Sequence, residues 1–199
     1  MPGSERKTLV IGILGSPRRH GNSEILLERC LEGARMEGAT TRKLVLCDLS
    51  VSPCQGCNSC LETGECAVRD DMAELHGALQ EADAVVVASP IYFSGPTAQT
   101  KMMIDRCQCL WAKENLLQSK VGHPRAGAII LVGGDAKAVF RHAQSELKAF
   151  FKGIGIAFRA ELTVAGVDKL GEVAGRSEDM RRALEMGREM AGRSSNRAE

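Results

Sequence analysis

No apolar run in the 199-residue sequence approaches the roughly 18 residues that would suggest a membrane span. An excess of charge of either sign is also missing, since 26 lysines and arginines stand against 25 acidic residues. With no long basic run, bulk electrostatics gives no support to nucleic acid or an anionic membrane as partner. Internal repeats and low-complexity segments are absent, and 44% hydrophobic with 26% charged residues is ordinary for a globular domain and excludes the signature of disorder. The length fits a single domain over residues 1–191, with 192–199 a polar tail expected to be disordered. Glycines interrupt the apolar stretch 8–14, Ser16-Pro17-Arg18-Arg19 follows it, and no cleavage-like pattern closes it. A buried first strand explains that stretch better than a signal peptide, and a cytoplasmic location is expected.

What is present is alternation. β-branched apolar runs at 7–14, 42–47, 84–88, 126–132 and 156–165 read as strands. Between them lie segments of helical period. Ser23 is the expected N-cap of a helix over 23–36, with Leu27, Leu31 and Ala34 on its buried face. Asp71 and Glu74 have capping-box spacing ahead of the stripe Met72, Leu75 and Leu79. Pro96 suits the first turn of a helix running to about 110, and a helix over 138–151 turns Val139, Ala143, Leu147 and Phe150 inward. Ser177 is expected to cap a last helix carrying Met180, Leu184, Gly187 and Ala191. Near-continuous apolar strands alternating with helices imply a parallel sheet covered on both faces. The fold class is α/β, a flavodoxin-like doubly wound five-stranded parallel sheet of order 2-1-3-4-5. In that order, ligands bind beyond the C-terminal strand ends, so the chemistry belongs in the loops after strands one, three and four.

The loop after strand one, Gly15-Ser-Pro-Arg-Arg-His-Gly-Asn-Ser23, is rich in donors suited to phosphate. Backbone amides at a helix start carry partial positive charge, to which Ser16, Asn22 and Ser23 add side-chain donors and Arg18 a full charge. It is neither a Walker loop nor a dinucleotide G-x-G-x-x-G loop, and an ordinary strand-to-helix turn is the bland alternative. After strand three, Ser89-Pro-Ile-Tyr-Phe-Ser-Gly95 sets two aromatics among small residues and suits a flat ring, its amides near Phe93 and Ser94 available to a ring edge. Aromatics that merely roof the core are the alternative there. Gly133-Gly134-Asp135 follows strand four and admits close approach of backbone to a ligand.

Four of the eight cysteines fall in one loop after strand two, residues 53–67, as C-x2-C-x2-C-x5-C: Cys54, Cys57, Cys60 and Cys66. Clustered cysteines outside a small secreted domain point to metal or redox work. Three thiols at successive two-residue gaps resemble the ferredoxin run more than paired zinc units, although zinc or free redox thiols also satisfy the spacing. Cys30 and Cys47 read as small buried hydrophobes, and Cys107 and Cys109 do not share a helix face. His20, His76, His123 and His142 are scattered and suggest no metal site, with His20 expected to be exposed. Trp111 and the Met102-Met103 pair fit a subunit interface or the core.

Assembled, these residues resemble the flavodoxin-like NADPH-dependent FMN reductase family, and within it the iron-sulfur flavoproteins of anaerobic microbes. The resemblance covers residues 7–165 and rests on Gly15-Ser-Pro-Arg18 with Gly21-Asn-Ser23, on Ser89-Pro-Ile-Tyr92 continuing through Pro96-Thr-Ala-Gln99 to Lys101 and Asp105-Arg106, and on the cysteine motif ending in Asp70-Asp71-Met72. It implies FMN held by Ser16, Arg18, Gly21, Asn22, Ser23, Pro90, Ile91, Tyr92, Phe93, Ser94, Gly95, Gly133, Gly134 and Asp135. It also implies a 4Fe-4S cluster on Cys54, Cys57, Cys60 and Cys66, and a homodimer or homotetramer. Two functions follow as expectations. In the first, an electron-transfer flavoprotein passes electrons from a ferredoxin-like donor through cluster and FMN to a small-molecule acceptor, the flavin chemistry requiring no catalytic side chain. In the second, an NAD(P)H-dependent FMN or quinone reductase works without a cluster. A redox-sensing interaction module is a third, weaker expectation.

Overall fold

The computed structural model describes residues 6–192. The expected disordered tail therefore lies, from residue 193 onward, outside the described residues. Five parallel strands, β1 (Leu9–Leu14), β2 (Thr40–Val45), β3 (Ala84–Pro90), β4 (Ala126–Gly133) and β5 (Ala157–Ala165), hydrogen-bond in the order β2-β1-β3-β4-β5, the expected flavodoxin-like order. Among the described residues seven α-helices accompany them: α1 (Asn22–Met36), α2 (Ser59–Thr63), α3 (Met72–Glu81), α4 (Ala98–Arg106), α5 (Gln108–Asn115), α6 (Arg141–Gly153) and α7 (Ser177–Ala191).

The two-residue period of the strands divides the core. Ile11, Ile13, Val85, Val87, Ile129 and Leu131 face α3, α4, α5 and α6. Val10, Leu14, Val86, Ala88, Ile130 and Val132 face α1 and α7. Burial of each such side chain contributes roughly 1.5–3 kcal/mol. On the second face α1 and α7 touch backbone to backbone: a Cβ on Gly33 would lie 2.0 Å from the Leu184 carbonyl oxygen, and one on Gly187 would lie 1.7 Å from that of Cys30.

Several local expectations are corrected. β2 ends at Val45 in a 3-10 turn over Leu46–Asp48, which leaves Cys47 exposed instead of buried. The N-cap of α1 is Gly21, not Ser23. Asp71 makes no capping bond: its carboxylate accepts from the Ser50 amide at 2.7 Å, while Glu74 pairs with Arg42. Thr97 caps α4 through the Thr100 amide, so Pro96 sits before the helix. The single helix expected to 110 is two, broken at Cys107. There the Leu110 amide bonds the Cys107 carbonyl, and the Arg106 carbonyl accepts instead from His76 Nε2 at 3.0 Å. The break turns both Cys107 and Cys109 into the interior. α6 begins only at Arg141, and Val139 is exposed. Ser177 is the first residue of α7 and makes no cap bond, and Leu184 is only half-buried.

Candidate functional site

Two cavities hold expected site residues, the first at the C-terminal strand ends and the second against the cysteine loop. The first, of about 270 Å³, is bounded by Ser16, Arg18, Gly21, Asn22, Ser23, Pro90, Ile91, Tyr92, Val132, Gly134, Val167, Asp168 and Leu170. The first bond of α1 runs from the Ile25 amide to the Gly21 carbonyl, so the amides of residues 22–24 have no partner further up the helix and carry its positive end. The preceding loop is held in shape by Ser16, whose Oγ accepts from the Arg18 amide at 3.2 Å. Glycine is required at position 15: a Cβ there would lie 1.9 Å from Thr100 Oγ1. Thr97 donates to the Gly15 carbonyl at 2.7 Å, which leaves the Thr100 hydroxyl to donate to Thr97 Oγ1 at 2.9 Å. Glu24, buried in the first turn of α1, is pushed up by burial, but hydrogen bonds from Lys43 and the His20 amide and the charges of Lys43 and Arg19 hold it below the ordinary carboxyl value.

Asn22 has a different task from the side-chain donor expected of it. Its Nδ2 donates to the carbonyls of Val167 and Lys169 at 3.2 and 3.0 Å, and its Oδ1 accepts from the Val173 amide at 3.1 Å. It thereby staples the segment after β5 against α1 and offers the cavity only its backbone. That segment, which supplies Val167, Asp168 and Leu170, was not among the expected loops. No local motif marks it, and it reaches the cavity because β5 packs beside β4. Asn22→Ala is expected to cost about 2–3 kcal/mol by leaving buried partners unpaired, which urea unfolding checks.

The aromatic loop divides. Tyr92 and Gly95 exchange two backbone bonds around Phe93 and Ser94, whose φ of 50° and 68° make a tight hairpin turn of the left-handed kind. Neither bond uses the amides of Phe93 or Ser94. Tyr92 borders the cavity, whereas Phe93, fully exposed, and Ser94 and Gly95 lie beyond its boundary. Likewise Gly134 borders it while Gly133 and Asp135 do not; a Cβ on Gly134 would come within 3.0 Å of Asp168 Oδ1, and Asp135 accepts from the Lys137 amide at 2.7 Å. Arg18 spans the mouth, its Nη1 donating to the Asp168 carbonyl at 3.3 Å.

The second cavity, of about 370 Å³, has Cys54, Cys57, Cys60 and Cys66 on its wall, together with Asp105, Arg106, Gln108 and Cys109. Among the described residues no three His, Cys, Asp or Glu side chains are gathered as around a single ion; the thiols stand around a larger space. Burial pushes the Cys60 thiol up, and the neighbouring Cys66, Cys57 and Cys54 push it further, as four sulfurs sharing one site must. Both ends of the loop are clasped by Arg106. Its Nη1 donates to the Ser52 carbonyl and to Asp70 Oδ2, each at 2.7 Å, and its Nη2 to the Val68 carbonyl at 3.3 Å and to Asp70 Oδ1 at 3.0 Å. Hydrogen bonding from Arg106, against burial, draws the Asp70 carboxyl down to about 2.

A folded value below the ordinary 3.8 stabilises the protein above that pH, and the contribution disappears as pH falls from about 4 toward 2. Asp70→Asn should therefore cost about 2 kcal/mol at neutral pH, with the gap to the native chain closing below about pH 3 in acid unfolding. A sequence signal for the clasp existed. Thr100, Met103 and Arg106 form one buried stripe of α4, and a cation in an apolar stripe demands a partner.

Residues 8–167 match the NADPH-dependent FMN reductase family. The chain belongs to that family. Within it, the chain is 34% identical over 181 residues to an iron-sulfur flavoprotein of Archaeoglobus fulgidus, covering 91% of this chain and 78% of that protein. It is 44% identical over 101 residues to an iron-sulfur flavoprotein of Methanocaldococcus jannaschii, a match to 51% of this chain that spans about half, 52%, of that relative. These place it in the iron-sulfur flavoprotein branch. A solved flavone reductase superposes with a TM-score of 0.74 at 19% identity over 92% of this chain and 62% of its own, a likeness of fold. The FMN reductase match ends at residue 167, where the Asn22-stapled segment of this family member begins. The matched region is thus an FMN-dependent oxidoreductase domain.

Proposed function

We propose that this domain transfers electrons between a ferredoxin-like donor and a small-molecule acceptor, with FMN in the first cavity and a 4Fe-4S cluster on Cys54, Cys57, Cys60 and Cys66. One observation carries the reading: all four thiols of the motif border one cavity. The chemistry those groups supply when bound is one-electron exchange at the cluster and one- or two-electron exchange at the flavin.

The chain's own residues do the holding. The amides at the start of α1, with Ser16, Ser23 and Arg18, suit the FMN phosphate, and Pro90, Ile91, Tyr92 and Gly134 offer the flavin ring a flat, partly apolar wall. FMN contacts at Phe93, Ser94, Gly95, Gly133 and Asp135 belong to the same proposal, although these residues lie beyond the boundary of the cavity. α4 links the two sites. Thr97 at its start holds Gly15, and Arg106 at its end holds the cysteine loop, about 13 Å away at 1.5 Å per residue.

The fully exposed Phe93 and the partly exposed Tyr92 and Trp111 support a homodimer or homotetramer, and among the described residues no helix is long and apolar enough to cross a membrane. A cytoplasmic setting belongs to the same proposal. A second reading, NAD(P)H-dependent reduction of flavin or quinone, is favoured by the family's name. Anaerobic purification with iron, sulfide and FMN measured per chain tests the first reading, which expects about four irons and four sulfides with bound FMN. FMN without iron or sulfide, joined to rapid NADPH or NADH oxidation, selects the second.

A further inference from the structure

We propose that Arg106 is a positioning residue for the redox chemistry of the cysteine site: its buried guanidinium donates through Nε to the sulfurs of the bound cluster and eases the cluster's reduction. The inference rests on the reading that the four cysteines hold a cluster.

Three observations converge on it. Arg106 is 2% exposed and borders the same cavity as the four thiols. Its bonds to Ser52, Val68 and Asp70 occupy both terminal nitrogens, two acceptors for each. The fifth donor, Nε, is buried and meets no acceptor at hydrogen-bond geometry; the same holds for Nε of Arg29 and Arg125, but of the three only Arg106 lies in the wall of the cysteine cavity. Leaving a charged group's donor unpaired in the interior is costly, and natural structures seldom do so without a ligand or function to explain it. The acceptor at hand is a sulfur, since the Cys66 thiol interacts with the guanidinium.

The charge argument gives a direction. Four thiolates outweigh the positive charge of the iron-sulfide core, and one-electron reduction by the donor adds a further negative charge to the assembly. A fixed cation with a hydrogen bond to sulfur favours the reduced form, so the reduction potential rises. Asp70, paired in bidentate fashion with Arg106, tempers that cation. The two residues therefore pull in opposite directions. A purely structural clasp would not behave so, because loosening the loop from either partner admits water to the same site.

The test is a redox titration of the holoprotein, followed by visible absorption and electron paramagnetic resonance, with iron and sulfide counted in every sample. Arg106→Gln is expected to lower the cluster's midpoint potential, Arg106→Lys to fall between it and the native chain, and Asp70→Asn to raise it. Shifts of equal sign, or none in samples with full iron and sulfide, overturn the proposal. Should Arg106→Gln fail to hold iron, Asp70→Asn decides alone: a rise supports the role, and an unchanged or lowered potential overturns it. A native chain without iron and sulfide defeats the cluster reading and this inference together, an outcome distinct from a loaded protein whose potential does not move.

Discussion

Replacing Cys57 by serine is expected to reduce iron and acid-labile sulfide from about four each per chain to near zero while FMN remains bound. Cys57 borders the cysteine cavity, is exposed, and stands between two residues in the left-handed region, Gly56 at φ 63° and Asn58 at φ 61°. Serine keeps the size but not the soft anionic sulfur that iron requires. Because the side chain is exposed, the folded state itself should change by no more than about 0.5 kcal/mol. Cys30→Ser makes the control. Cys30 is buried beneath α7, where burial pushes its thiol up to about 12, so that substitution should lower stability and leave the iron content intact. Full iron in Cys57→Ser would remove the cysteine cavity from consideration as the cluster site.

Gly187→Ala should destabilise the fold by about 3 kcal/mol or more, the upper range for forcing atoms into a packed interior. The added carbon would lie 1.7 Å from the Cys30 carbonyl oxygen and 2.9 Å from the Ala34 nitrogen, both backbone atoms of α1 that no side-chain rotation can move aside. Relief requires α7 to lift from α1, which uncovers Leu27, Leu31, Met186 and Met190. The same substitution at Gly77 should act with the opposite sign. In α3 nothing lies within 4 Å of a Cβ at that position, and alanine there stabilises the helix by about 0.5–1 kcal/mol. Urea unfolding of the two variants beside the native chain tests the contrast, which helix propensity alone cannot produce because it favours alanine at both sites.

The parts legible in the chain were those governed by short-range pattern. Runs such as Val85-Val-Val87 and Ile129-Ile-Leu131 can be buried only as strands covered on both faces, and their alternation with helical stripes leads to the observed sheet order. The cysteine loop and the phosphate-type loop after β1 were visible because the residues that make each site are contiguous. Local capping was less legible. At Asp71, Ser177 and Ser23 the cap signal was present, but partners distant in sequence or backbone of the preceding loop took its place.

Tertiary structure decided what the sites are made of beyond those contiguous residues. Asn22 carries the sequence signature of a phosphate donor and becomes a staple because Val167, Lys169 and Val173, about 150 residues away, arrive beside it. Arg106 closes a loop that begins more than 50 positions earlier, and Cys109 joins the cysteine cavity only because the helix breaks at Cys107. By itself, then, the sequence determined the sheet, its order and the four-thiol motif, since period and spacing are properties of neighbours along the chain. The closing of the loop, the fourth wall of the first cavity and the burial of the Arg106–Asp70 pair were decided by packing, since hydrogen bonds and charges seek the nearest partner in space, however distant in sequence.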